Sequence, residues 1–378
     1  MDTQVIAQRF SELYGHEGTL YTSPGRINLI GEHTDYNGGF VFPGAVDKAM
    51  LAAICPNGTE RVRVWAEDLG EGCEFGLAEE DKPAEQWACY IFGVCREIQK
   101  RGYTIGGFDA LFSGDVPLGA GMSSSAALES TFAYAINDLW GLGIESFELA
   151  RIGQATEHNY CGVMCGIMDQ FASIHGKAGH LVRLDCRSME YEYFPFDASK
   201  YGYRLVLINS CVKHELVGSP YNERRLSCER VASRLGRDFL RGATMEELEA
   251  LKGSISEEDY KRARYVIGEE ARVLDVCRAL EEGDLERVGR RMYETHWGMS
   301  RDYEVSCQEL DFLVEIAEEC GVSGSRIMGG GFGGCTISLV KEELYENFIS
   351  TATARFAARY GHAPKVIPVV ISDGARKL

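Results

Sequence analysis

The chain has 378 residues, 45% apolar and 25% charged, a globular composition large enough for two domains, which excludes a stapled mini-scaffold, a fibre or a disordered tail. Lys and Arg total 39 against 57 Asp and Glu, and the resulting charge of −18 argues against nucleic acid or an anionic membrane as a partner. Thirteen cysteines, an odd count without a C-x-x-C pair, read as reduced thiols of a cytoplasmic protein.

The first segment, MDTQVIAQRFSELYG, carries helical apolar spacing (Val5, Ile6, Phe10, Leu13, Tyr14) and no basic-then-apolar leader pattern, so it reads as mature sequence. Residues 20–77 are β-rich and broken by turns; Asn57-Gly58-Thr59 falls in one of these and reads as a turn rather than a glycosylated sequon. A helix is predicted near 84–101, a strand at FDALFSGDV, a long amphipathic helix over 123–140 and another over 146–161. LVRLDC, YEYFPF and YRLVLINS are strand-like, and the second half turns helical at about 221–236, 256–282, 284–302 and 307–320. The chain closes on a glycine loop, the strand CTISLV, a helix and the strand KVIPVVISD; Val366–Ile371 is far too short to cross a bilayer. A composition shift near 176–180 is the candidate domain boundary, giving units 1–178 and 179–378.

Glycine numbers 43 and proline only 9, and the glycines gather in three places. Gly114 to Glu129, GDVPLGAGMSSSAALE, joins a strand to a helix start; it is either an anion cradle of backbone N–H groups at the positive end of the helix dipole or a capped helix after a tight turn. There is no G-x-x-x-x-G-K-[ST], so a P-loop NTPase is not supported. Gly329 to Gly334, GGGFGG, satisfies G-x-G-x-x-G, but a strand pattern follows where a dinucleotide fingerprint must open a helix. A glycine hairpin is the plainer alternative. Ser23 to Gly39, SPGRINLIGEHTDYNGG, packs a cation, two carboxylates, an imidazole and two carboxamides into one stretch, suited to a ligand with many hydroxyls or to a solvated loop.

Taken together these segments resemble the galactokinases of the GHMP small-molecule kinase superfamily. GRINLIGEHTDYNGG is similar to the family's sugar motif, PLGAGMSSSAALE to its phosphate loop and MGGGFGGCTISLV to its third glycine motif, all in family order. CGIMDQFAS and NSCVKHELVGSPYNERR also resemble family segments, so the likeness covers about residues 20–340. It implies an α+β fold of two lobes, each a mixed or antiparallel sheet packed with helices, with the active site in the cleft between them. It implies an enzyme that moves the γ-phosphoryl group of ATP to the C1 hydroxyl of galactose, the first step of galactose catabolism. A sister kinase of N-acetylgalactosamine and a non-catalytic galactose and ATP sensor are the alternatives. A monomer without nucleic-acid or membrane partners is expected.

The resemblance also implies roles. Asp169 matches the catalytic aspartate and Arg26 the cation beside the reacting oxygen. Glu32, His33, Thr34, Asp35, Gly166 and Tyr221 match sugar contacts, while Gly119, Ala120, Gly121, Met122, Ser123, Ser124 and Ser125 match the loop that holds the ATP phosphates. Ser125 and Glu157 match the Mg²⁺ ligands, hard oxygens suited to that ion. Ala120 and Met122 stand where glycine and leucine are common in the family. His158, Cys161 and Cys165 lack a fourth ligand and read as core groups rather than a zinc site. RVRVWAEDLG is the expected neighbourhood of adenine, with Trp65 either stacking there or buried in the core.

Overall fold

The computed structural model describes residues 2–117, 119–212 and 219–378. A six-stranded sheet forms one side of the molecule from β1 (Thr19–Asn28), β3 (Pro43–Pro56), β4 (Arg61–Ala66), β5 (Glu71–Gly76), β6 (Phe108–Gly114) and β13 (Arg376–Lys377), in the order β13-β1-β3-β6-β4-β5. All its pairings are antiparallel except β4 with β6. A three-stranded sheet joins β2 (Phe40–Val41) to β7 (His180–Asp185) and β8 (Tyr191–Pro195). An antiparallel four-stranded sheet, β10-β11-β9-β12, is built from β9 (Tyr203–Asn209), β10 (Gly324–Ile327), β11 (Cys335–Lys341) and β12 (Lys365–Pro368).

Eleven helices are described: α1 (Thr3–Tyr14), α2 (Gln86–Lys100), α3 (Ser124–Leu139), α4 (Ser146–Thr156), α5 (Met168–His175), α6 (Ser219–Arg234), α7 (Met245–Ala250), α8 (Glu257–Glu282), α9 (Leu285–Arg301), α10 (Gln308–Glu319) and α11 (Glu342–Tyr360). Their ends follow local chemistry: Asp2 and Ser256 cap α1 and α8 through side-chain oxygens, and Gly15 and Gly283 close them in the left-handed conformation. The largest apolar cluster brings Phe42, Ile91, Phe132 and Phe171 together with Leu207, Val273 and Ile337. No described helix is long and apolar enough to cross a membrane.

Mixed and antiparallel sheets packed with helices are observed, as expected from sequence, and the predicted helices over 84–101, 123–140, 256–282, 284–302 and 307–320 form within a few residues of those limits. Several details differ. The helix predicted over 146–161 stops at Thr156 and opens into a wider π turn over Glu157–Cys161, ended by Gly162 in the left-handed region. Asp169 sits in the first turn of α5, a helix absent from the elements predicted above, where Phe171, Ala172 and Ile174 give the short polar-headed segment a buried face. The glycine-rich stretch from Ser23 is strand as far as Asn28. Its register shifts between Pro24 and Arg26, a bulge that brings the Arg26 amide within 3.1 Å of the Met122 carbonyl and ties β1 to the loop ahead of α3.

Candidate active site

The three glycine-rich segments converge on one cavity. Arg26, Glu32, His33 and Asp35 come from β1 and the turn after it, and residues 119–125 from the loop between β6 and α3. Met328 to Gly331 follow β10, and Glu157, Gly166, Asp169 and Tyr221 complete the wall. The loop residues Gly119 and Gly121 have φ of 69° and 72°, which only glycine adopts without strain. A Cβ on Gly121 would lie 2.8 Å from the Met328 carbonyl, so the second and third glycine segments meet backbone to backbone.

Asp169 is held by three hydrogen bonds from two residues. Arg26, 3% exposed, donates from Nε and Nη2 to its two carboxylate oxygens at 2.7 and 2.9 Å, a bidentate charge-assisted pair, while Nη1 donates to the Gly121 carbonyl. Ser123 occupies the N-cap position of α3 with φ 56° but leaves the helix amides uncapped, because its hydroxyl donates to Asp169 instead. The first amides of α3 lack helical acceptors and lie at the positive end of its dipole. A carboxylate clamped by a cation therefore stands beside an anion-binding helix end.

The opposite wall carries acceptors. Glu32, 2% exposed, receives the Gly329 amide at 2.8 Å and Nη2 of the fully buried Arg326 at 3.0 Å, both on Oε1. Arg326 also donates to the carbonyls of Leu29, Asn28 and Ile327, so it is the pin of this wall. Asp35 is half-buried near Asp169, and desolvation pushes its carboxyl up to about 6. Gly166 lies so close that a Cβ there would meet Asp35 Oδ2 at 1.8 Å. Gly166→Ala should therefore displace Asp35 and, on the sugar-contact role that the resemblance implies for Asp35, raise the sugar KM by about tenfold or more while leaving the ATP KM in place, as steady-state kinetics would show.

His33, expected as a sugar contact, lines the cavity, and both its ring nitrogens already have protein partners. Nε2 lies 3.2 Å from the Gly330 carbonyl and must donate, so Nδ1 accepts from the Tyr36 hydroxyl at 2.7 Å, which in turn accepts from Tyr303 at 2.7 Å. Burial drives its pKa down to about 3, so it is a neutral strap between first and third glycine segments. Thr34 is not on the cavity wall: its hydroxyl lies 2.9 Å from the Gly31 carbonyl and 2.6 Å from that of Phe40 and shapes the turn. Tyr221 reaches the wall from α6, its ring 5.4 Å from that of His33.

An adjoining, more apolar cavity of about 490 Å³ shares Tyr90, Ser124 and Ser125 with the first and is lined by Trp87, Phe112, Val116 and Leu128. Its size suits a heterocyclic base. Trp65 does not line it; its indole N–H donates to Glu67 at 2.8 Å and its ring packs beside α1. Trp87 and Tyr90, three apart on α2, escaped the sequence reading, although that spacing on an amphipathic helix was a usable signal.

Comparison with known proteins agrees with this geometry. The galactokinase galactose-binding signature matches residues 8–56, the GHMP kinases N terminal domain 89–177 and the GHMP kinases C terminal region 277–358. The galactokinase of Thermosipho africanus is 40% identical over 357 residues, covering 94% of this chain and 99% of that protein. This chain belongs to the galactokinase family. The galactokinase of Roseiflexus sp. is 39% identical and spans 100% of this kinase, and the crystal structure of Lactococcus lactis galactokinase complexed with galactose superposes with a TM-score of 0.94 at 34% identity, covering 99% of both chains. A mevalonate kinase at 16% identity and TM-score 0.64 shares the fold. This galactokinase-family kinase is thus a phosphotransferase of sugar metabolism with the GHMP fold.

Proposed function

We propose that the kinase binds galactose against Glu32, Asp35, Gly166 and Tyr221 and transfers the γ-phosphoryl group of ATP to its C1 hydroxyl, releasing α-galactose 1-phosphate and ADP. The observation that carries this is the Asp169 clamp: one carboxylate fixed by Arg26 and Ser123 between a wall of sugar-type acceptors and the N-terminus of α3. Asp169 accepts or orients the C1 proton. Arg26 and the α3 amides balance charge on the transferred group, and positioning does most of the rest. The ATP phosphates occupy the loop 119–125 and the base takes the cavity by Trp87. A division of the chain into two lobes near residue 178, with the site between them, and a cytoplasmic monomer belong to the same reading; thirteen unpaired cysteines suit that compartment. A coupled ADP-release assay with galactose, glucose and N-acetylgalactosamine tests it: galactose-dependent ADP supports the reading, and none with any sugar refutes catalysis.

Ser125 and Glu157 fit Mg²⁺. Both line the cavity, and one carboxylate plus one hydroxyl is the sparse oxygen set that this ion completes with water and phosphate. Among the described residues there is no cluster of three or more His, Cys, Asp or Glu that would form an all-protein cage. The bound ion supplies charge neutralisation for the phosphates. Burial of Glu157 pushes its carboxyl up to about 7, so the ionised form that a cation needs is scarce below that pH. MgATP binding should release a proton and tighten as pH rises through 7, flattening above it; calorimetry in buffers of different ionisation enthalpy measures both.

A further inference from the structure

Behind the phosphate loop, and away from the cavity wall, α3 and α5 are joined by two fully buried side chains. Gln170 Nε2 donates to Glu129 Oε2 at 3.1 Å, while Glu129 Oε1 and Gln170 Oε1 are both buried with no partner. An ionised carboxylate and an amide oxygen can only accept, so that state leaves two buried acceptors unsatisfied at one junction. Burial, followed by the carboxylates of Glu157 and Asp169, the charged groups acting on Glu129, holds its carboxyl well above the usual range. Gly153 of α4 closes over the pair: a Cβ there would lie 2.7 Å from Gln170 Cγ and 3.3 Å from Glu129 Oε2.

We propose that Glu129 stays protonated and forms a two-point acid–amide ring with Gln170, its Oε1–H donating to Gln170 Oε1, and that this ring fastens the phosphate-loop helix to the helix that carries Asp169. One proton converts both unsatisfied acceptors into a hydrogen bond and removes the buried charge. Glu129 touches neither substrate in the reaction proposed above; it is a positioning residue, acting through Gln170 on the neighbouring Asp169, and to that extent the inference rests on that reading.

Glu129→Gln tests it, because the variant's N–H replaces the acid's O–H and keeps both bonds without charge. The variant should fold and keep kcat within about threefold. Infrared spectra at about pH 8.5, above the titration of Glu157, should contain a protonated-carboxyl C=O band that is missing from the variant. Gln170→Leu, which removes both bonds at similar volume, should lower kcat by about tenfold or more with the ATP KM within twofold. Misfolding of Glu129→Gln, a loss of kcat beyond about a hundredfold in it, or an unchanged infrared difference spectrum would overturn the proposal. Unchanged kcat in a folded Gln170→Leu overturns the positioning part. The infrared comparison stands whether or not the protein releases ADP with galactose, so failure of the ring and failure of the kinase reading are separable.

Discussion

Replacing Asp169 with alanine lowers galactose-dependent ADP release by about 10²–10⁴-fold, and it also weakens the fold. Arg26 is 3% exposed and spends two of its three nitrogens on Asp169. Without that carboxylate it keeps only the Gly121 carbonyl and the more distant fields of Glu32 and Asp35. Breaking a buried pair from one side costs up to about 3–5 kcal/mol, mostly the penalty of the stranded charge. The double variant Arg26→Met/Asp169→Ala strands no charge and should recover most of the stability while remaining inactive. Denaturation midpoints of the two variants, read beside turnover, separate the structural role of the pair from its chemical one; normal turnover in Asp169→Ala would remove this residue from the reaction.

Arg326→Met acts on the other wall and should be the most damaging substitution outside the reacting groups. Arg326 is fully buried and serves three carbonyls and Glu32 at once. Its loss leaves those acceptors unsatisfied and the Glu32 carboxylate without its cation, at a cost of about 3–5 kcal/mol. Urea unfolding should show a lower midpoint at unchanged slope. Protein that remains folded should have a raised galactose KM, since Glu32 is then anchored only by the Gly329 amide. Glu32→Gln added to Arg326→Met removes the unpaired charge and should regain part of the stability without regaining sugar affinity.

Much of the site was legible because its residues cluster in sequence: Arg26, Glu32 and Asp35 lie within ten positions, and Gly119 to Ser125 form one run, so each stretch reads as a unit before the fold brings them together. What sequence could not reveal depends on tertiary pairing. Ser123 looks like a helix cap, and only the approach of α5 shows its hydroxyl turned to Asp169. Arg326 reads as an ordinary strand arginine until β10 packs against the turn after β1. His33 carries the right chemistry for a sugar contact, yet Tyr36 and Gly330, one of them almost three hundred residues away, claim both nitrogens. The short α5 was hidden for a related reason: its first turn holds Asp169 and Gln170, whose places are justified by partners on β1 and α3 rather than by helical periodicity.

The pairing of β13 with β1 has a consequence for biosynthesis. Tyr21 and Thr22 face Lys377 and Arg376, and the Leu378 amide donates to the Leu20 carbonyl at 3.0 Å. On a ribosome these partners emerge some 350 residues apart, so the outer rim of β1 stays open until β13 has been made and has left the exit tunnel. An uncovered strand rim is a template for unwanted pairing with other chains. Nascent chains and molecules clipped ahead of β13 therefore share the same adhesive surface, and residues 376–378 act as its seal.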